Sequence, residues 1–285
     1  MQMFHRILLL VPAMAILPVT ALVAADEPSP LPTKFSSIFF DWDKLAVKPT
    51  NVGERRDVFD APTATLQKFE CHISTLNPGQ MSHPPHRHPQ EELIILERGA
   101  LDVFINGKTQ HVGPGSAFFF ASNDLHNVRN VGAVPATYFV FNFATAATRT
   151  VPAQPASESA APDKLRSSVF EWEKLPVTPT DTGARRTIID SPTVTCINFE
   201  SHATTLNPGE SSLRAAHHHR DEGVIIIKEG TTEIVLNGVA HRAGAGSLAF
   251  LGSNEPHYVK NVGDTPATYY VVHFITEATP KIAAN

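Results

Sequence analysis

Short apolar runs separated by turn residues dominate the chain. Leu93–Leu96, Leu101–Ile105, Ala117–Phe120 and Tyr138–Phe143 are each strand-sized, and turn residues bound most of them. Asn106-Gly107 and Asn237-Gly238 sit between strand-like residues, a dipeptide that signals a tight hairpin. Nothing before or between these runs shows the apolar period of a long amphipathic helix. The pattern predicts an all-β fold, a barrel or sandwich of many short strands.

The pattern occurs twice. Phe39–Leu66 matches Val169–Cys196, about 130 residues downstream, and both copies continue into Glu-x-His and Thr-Leu-Asn-Pro-Gly. The matched ends are ATYFVFNF, closing at Phe143, and ATYYVVHF, closing at Phe274. Between them lies ATRTVPAQPASESAAPDK, rich in Ala, Pro, Ser and Thr and without apolar periodicity, as expected of a linker. The expected organisation is one domain over residues 30–150, a linker over 151–163 and a second domain over 164–280. Each copy is expected to cover apolar surface on the other.

The first residues are set apart from this pattern. His5 and Arg6 precede an uncharged, mostly apolar run from Ile7 to Ala25, and Val23-Ala24-Ala25 has the small-x-small form of a cleavage site. Residues 1–25 are therefore expected to be a signal peptide, with the mature chain periplasmic or secreted. The run is long enough to span a membrane, but Pro12 and Pro18 interrupt it. After cleavage no membrane association is expected.

Composition narrows the partners. With 23 Lys and Arg against 28 Asp and Glu, the formal net charge is −5 and there is no basic run, which argues against nucleic acid. The expected partner is a small-molecule substrate or ligand, with homo-oligomerisation left open. Cys71 and Cys196 occupy different positions in the two copies, so repeat symmetry predicts no disulfide. A bond in an exported chain and two buried thiols are both open.

Candidate chemistry sits at matching places in the two copies. Copy one carries His86 and His88, then Glu92 at even separation, then His126 after a glycine-bounded strand. Histidines at i and i+2 share one face of a strand, and imidazole binds divalent transition metals well. Three imidazoles and a carboxylate converging inside a small barrel would leave open positions on a six-coordinate ion. Parity points Arg87 outward. His83 is either a base near the site or a surface residue. His72 and His202 recur before the shared Thr-Leu-Asn-Pro-Gly and are assigned to barrel construction, and Phe118 and Phe120 to barrel filling.

These spacings resemble those of the cupin superfamily. The first motif has Gly79, then His86-x-His88, three residues, Glu92, six residues and Gly99, with the first gap one residue longer than usual. The second has Gly115, His126 and Asn130 in register, with Ala121 where the family has proline and Asn123 where it has glycine. With both copies counted, the chain looks like a bicupin. The resemblance implies tandem double-stranded β-helix (jelly-roll) barrels and a metal held by His86, His88, Glu92 and His126. Manganese, iron, nickel, cobalt and zinc all fit. It implies a metal-dependent decarboxylase, dioxygenase, isomerase or hydrolase acting on a small organic acid or related oxygenated metabolite, with His83 the candidate for proton transfer. The alternative is a non-catalytic exported cupin that binds a small molecule or sugar.

Copy two departs from the motif. His217, His219 and His257 match His86, His88 and His126, but Gly223 holds the place of Glu92. The adjacent Glu222 matches Glu91 and has the wrong parity to point inward. Three readings are open: a degenerate site, a three-histidine site, or a site whose missing ligand comes from elsewhere. Loss of the carboxylate predicts weaker binding of a hard divalent ion than in copy one.

Overall fold

The computed structural model describes residues 35–213 and 216–281, so the signal segment expected at 1–25 lies outside the described residues. Copy one forms β1 (Ile38–Phe40), β2 (Lys48–Thr50), β3 (Gly53–Ala61), β4 (Lys68–Leu76), β5 (Glu91–Arg98), β6 (Leu101–Ile105), β7 (Lys108–Val112), β8 (Ala117–Phe120), β9 (His126–Asn130) and β10 (Ala136–Ala144). Copy two repeats the series as β11 (Ser168–Phe170), β12 (Thr178–Thr180), β13 (Gly183–Ser191), β14 (Asn198–Leu206), β15 (Glu222–Glu229), β16 (Thr232–Leu236), β17 (Val239–Ala243), β18 (Leu248–Leu251), β19 (His257–Asn261) and β20 (Ala267–Ile275). The β6–β7 and β16–β17 hairpins turn at the two Asn-Gly pairs, and both Asn106 and Asn237 take the positive φ that such turns need.

Each barrel pairs a seven-stranded sheet with a three-stranded one. The first has the orders β11-β8-β5-β10-β4-β3-β2 and β7-β6-β9; the second has β1-β18-β15-β20-β14-β13-β12 and β17-β16-β19. All pairings are antiparallel, as the fold class expected from the sequence requires. The first strand of each copy is exchanged. β1 lies on β18, with Phe39 opposite Ala249, and β11 lies on β8, with Val169 opposite Phe118. The exchange covers an edge of each large sheet that would otherwise expose unpaired backbone groups.

The alternation of β5 decides which residues meet which neighbours. Leu93 and Ile95 face a core shared by the two copies, while Ile94 and Leu96 face the interior of the first barrel. The shared core is aromatic: Phe274 lies 4.9 Å from Phe69 and 5.0 Å from Phe143, and Phe143 stacks on Phe199 at 5.3 Å. Each such ring, fully buried, contributes about 1.5–3 kcal/mol, so separating the barrels would expose a large part of the stabilising surface. Cys71 and Cys196 are both buried in this core as free thiols. Burial pushes both thiols up, Cys71 well above its usual value.

Trp172, just after the exchanged β11, packs flat on Gly115. A Cβ at Gly115 would lie 2.8 Å from the indole, and its φ of +87° is already unfavourable for an L-residue. Gly115→Ala should therefore cost about 2–4 kcal/mol, the left-handed penalty plus an overpacking term. Gly107 has nearly the same φ with open space around it, so Gly107→Ala should show the backbone penalty alone. Urea unfolding of the two variants reads the difference. Equal losses would mean that the indole contact contributes nothing.

The segment expected to be a linker packs locally on copy one. Ala156–Ser159 makes one helical turn, the Ala156 amide donates to Ser122 O, and the Ser157 amide donates to Asp124 Oδ1 at 3.1 Å.

Candidate metal centres

His86 and His88 lie just before β5, in an extended segment that forms only an isolated bridge rather than the regular strand expected for the pair. The bridge joins His86 to His126, the first residue of β9, with backbone hydrogen bonds of 3.2 and 3.1 Å in both directions. The three ring centroids lie 4.7–5.1 Å apart. One nitrogen from each of the three lies within 4.8 Å of the others.

Hydrogen bonding decides which nitrogen each ring presents. His88 Nδ1 is 3.0 Å from Gln90 O and His126 Nδ1 is 2.8 Å from Asp124 O. A carbonyl can only accept, so these Nδ1 atoms carry the proton and the Nε2 lone pairs are free. The Nε2 atoms of His88 and His126 are buried and have no hydrogen-bond partner. Buried, unpartnered acceptors are costly. A cation between them satisfies both, so the donor set fits a divalent metal.

Glu92 opens β5 and shares its inward parity with Ile94. Its Oε2 stands 3.5 Å from His88 Nε2 and accepts from Asn142 Nδ2 at 3.2 Å. It lines the same cavity as the three histidines. Burial alone would raise its carboxyl, but the nearby His88 and His126 imidazoles hold it below the usual carboxylate range. Burial pushes His126 down to about 4 and lowers His86 as well. For His88 burial acts downward too, but the Glu92 carboxylate outweighs it and the net direction is up. The cluster therefore offers mostly neutral imidazoles beside one anion, as a metal shell needs.

The cavity around this cluster has a volume of about 360 Å³ and reaches Arg55, His72 and His83. His83 is exposed, and its ring centroid lies 3.9 Å from that of His86. Arg87 points out, as parity requires, and donates to Asn123 O at 3.0 Å. Phe118 and Phe120 fill the barrel, and Phe120 also stacks on His126 at 4.2 Å. Asn123 takes φ of +60°, which explains how it stands where the motif has glycine: Asn tolerates the left-handed region better than most residues. Asn130 is spent on the loop, donating to Leu76 O and Val134 O and accepting from Gly132 N.

His72 and His202, assigned from sequence to construction, also line the cavity walls. Each is held by a carboxylate that also accepts from an arginine. His72 and Arg55 share Glu70 Oε1 at 2.7 and 2.9 Å, and His202 and Arg185 share Glu200 Oε1 at 2.6 and 2.8 Å. These arginines and glutamates, and also Asn142, are not among the candidates named from the sequence. Asn142 had a visible signal, as the polar residue inside the otherwise apolar ATYFVFNF.

In the second barrel His217, His219 and His257 form the corresponding triad, with nitrogens within 4.8 Å of one another. His257 Nδ1 is fixed by Glu255 O at 2.9 Å. Burial pushes His257 down to about 4 and also lowers His217 and His219. This cavity is larger, about 520 Å³. Glu222 points away from it, toward copy one, as its parity requires.

The cupin-domain family model matches residues 72–142 and 202–273, together half of the chain. No curated protein sequence matches at a significant level. Among solved structures, protein Ylba from E. coli has a TM-score of 0.66 at 13% identity, over 87% of this chain and 93% of that one. The Lactobacillus farciminis oxalate decarboxylase, solved as a formate complex, has a TM-score of 0.62 at 16% identity, over 86% and 88%. The Bacillus subtilis oxalate decarboxylase, described through its Mn(II) centres, has a TM-score of 0.63 at 15% identity, over 86% and 79%. At such identities the likeness shows the fold. The two family matches each enclose a histidine pair and its later histidine, and on that ground the chain belongs to the cupin family, with two cupin domains in tandem.

Proposed function

We propose that the protein is an exported metal-dependent enzyme acting on a small organic acid or related oxygenated metabolite in the first barrel. The observation that carries this is the pair of buried, unpartnered Nε2 atoms of His88 and His126, facing a cavity shared with His86 and Glu92. His86, His88, Glu92 and His126 would hold the ion. Manganese is the first choice, on the likeness to the Bacillus subtilis oxalate decarboxylase and the hard carboxylate in the set. Bound there, a divalent ion supplies Lewis acidity toward a substrate oxygen.

The chain's own residues would do the rest. Asn142 holds Glu92 Oε2 in place. Ile94 and Val140 give the cavity an apolar wall that limits water. Arg55 is the one permanent cation among the described residues lining it, and Asp57 and Glu70 already share its charge. His83, exposed and against His86, is placed to carry a proton between cavity and solvent. Export rests on the basic start, apolar run and small-residue site in residues 1–25. N-terminal sequencing of the protein from its host should find the chain beginning near Asp26, and an intact Met1 chain in the membrane fraction would contradict this.

The test of function is turnover of a panel of small mono- and dicarboxylic acids by manganese-loaded protein, with and without oxygen. Turnover should vanish in the His86→Ala, His88→Ala variant. His83→Asn should lower it about a hundredfold while leaving bound metal unchanged. Ligand binding without conversion of any acid would instead favour a non-catalytic binding protein.

A further inference from the structure

We propose that the second barrel is a metal site of a different kind, in which His273 takes over the role of the missing carboxylate. This stands apart from the reaction proposed for the first barrel. In copy one, Glu92 on β5 is directly opposite Asn142 on β10. In copy two, the same cross-strand pair is Gly223 opposite His273. The donor and the short partner have changed strands. A Cβ at Gly223 would lie 3.1 Å from His273 Nδ1 and 2.6 Å from Val272 O. The imidazole therefore occupies space that a side chain at 223 would need. The Val272 carbonyl is closer still, so both backbone and ring leave room only for glycine at 223.

His273 is placed as Glu92 is. Glu92 approaches the second histidine of its pair, at 3.5 Å from His88 Nε2. The His273 ring centroid lies 4.9 Å from that of His219, the matching second histidine. Both residues line the cavity that holds the triad of their barrel. His273 is only 13% exposed, and its Nδ1 pairs with Asp221 Oδ2 at 2.7 Å. A carboxylate beside a ligating histidine is the usual device for orienting the ring and raising its basicity. Asp221 holds the place of Gln90, so copy two has gained the orienting carboxylate along with the imidazole.

The exchange alters the chemistry of the site. Three imidazoles and a carboxylate suit a hard ion such as Mn²⁺. Four imidazoles carry no negative charge and favour borderline ions such as Co²⁺, Ni²⁺ or Zn²⁺. One chain would then hold two ions of different preference.

The test uses the full mature chain with His86→Ala and His88→Ala, so that only the second barrel binds, and Co²⁺ as the probe. Titration should give one Co²⁺ per chain, preferred over Mn²⁺. Adding His273→Asn should weaken Co²⁺ at least about tenfold. The circular dichroism and urea midpoint of that variant should match those of the parent, which guards against loss of fold. X-ray absorption should count four imidazoles in the parent and three in the His273→Asn variant. A parent that binds no Co²⁺, a His273→Asn variant that binds within about twofold of it, or a parent with only three imidazoles would each overturn the proposal. None of these results would bear on metal or turnover in the first barrel.

Discussion

Replacing Glu91 with alanine should cost about 3 kcal/mol of stability, although the residue touches neither cavity. Glu91 is fully buried between the barrels. Its carboxylate accepts from Thr193 Oγ1 at 2.6 Å, Thr195 Oγ1 at 2.5 Å and Val194 N at 3.1 Å. Glu222 makes the reciprocal set, with Thr63 Oγ1, Ala64 N and both groups of Thr65. Each glutamate thus clamps a turn of the other copy. Truncation strands buried donors, each worth about 1–3 kcal/mol, while the turn relaxes to recover part of the loss. Urea unfolding should show the drop for either variant, and a loss below about 0.5 kcal/mol would show that the clamp is dispensable. Burial raises the Glu91 carboxyl above its ordinary 4.5 despite these donors. The native state then holds the proton more tightly than the unfolded state. Stability from this group is complete below 4.5 and declines as pH rises through the raised native value. Glu91→Gln cannot ionise, so wild type should lose stability relative to it as pH rises from 4.5. No slope above 4.5 would mean that the native carboxyl titrates no higher than in the unfolded chain.

Glu92→Gly should weaken Mn²⁺ binding in the first barrel at least about tenfold and abolish activity housed there. The substitution makes copy one imitate copy two at this position while leaving Asn142 opposite, so neither a carboxylate nor an imidazole fills the fourth place. It also removes the anion beside the His88 ring and strands the Asn142 amide. Glu92→Gln keeps the shape but not the charge, and should fall between the two. Manganese titration of apo-protein reads both variants. Unchanged affinity in Glu92→Gly would show that the carboxylate is not a ligand.

Much of this was legible in the chain because it is local or repeated. Parity separates Glu91 from Glu92, and the structure sends one to the interface and the other to the cavity. The Asn-Gly hairpins follow from local sequence, and the two histidine triads from the repeat together with the cupin resemblance. What was not legible depends on distant pairing. No residue near Ile38 or Ser168 announces that β1 and β11 will lie on the sheet of the other copy. His72 and His202 were assigned to construction because recurrence cannot tell a structural residue from two equivalent cavity walls. His273 was missed because strand partners across β15 and β20 cannot be matched without the register, although a histidine in ATYYVVHF stands out once Gly223 is seen opposite it.

The most direct measurement is Mn²⁺ binding to the chain carrying His217→Ala and His219→Ala, which retains only the first barrel's ligands. One Mn²⁺ per chain is expected, with pulsed electron paramagnetic resonance showing three imidazole nitrogens that disappear when His86→Ala and His88→Ala are added. Mn²⁺ held equally well after both histidine pairs are removed, or none held while the first pair is intact, would contradict it.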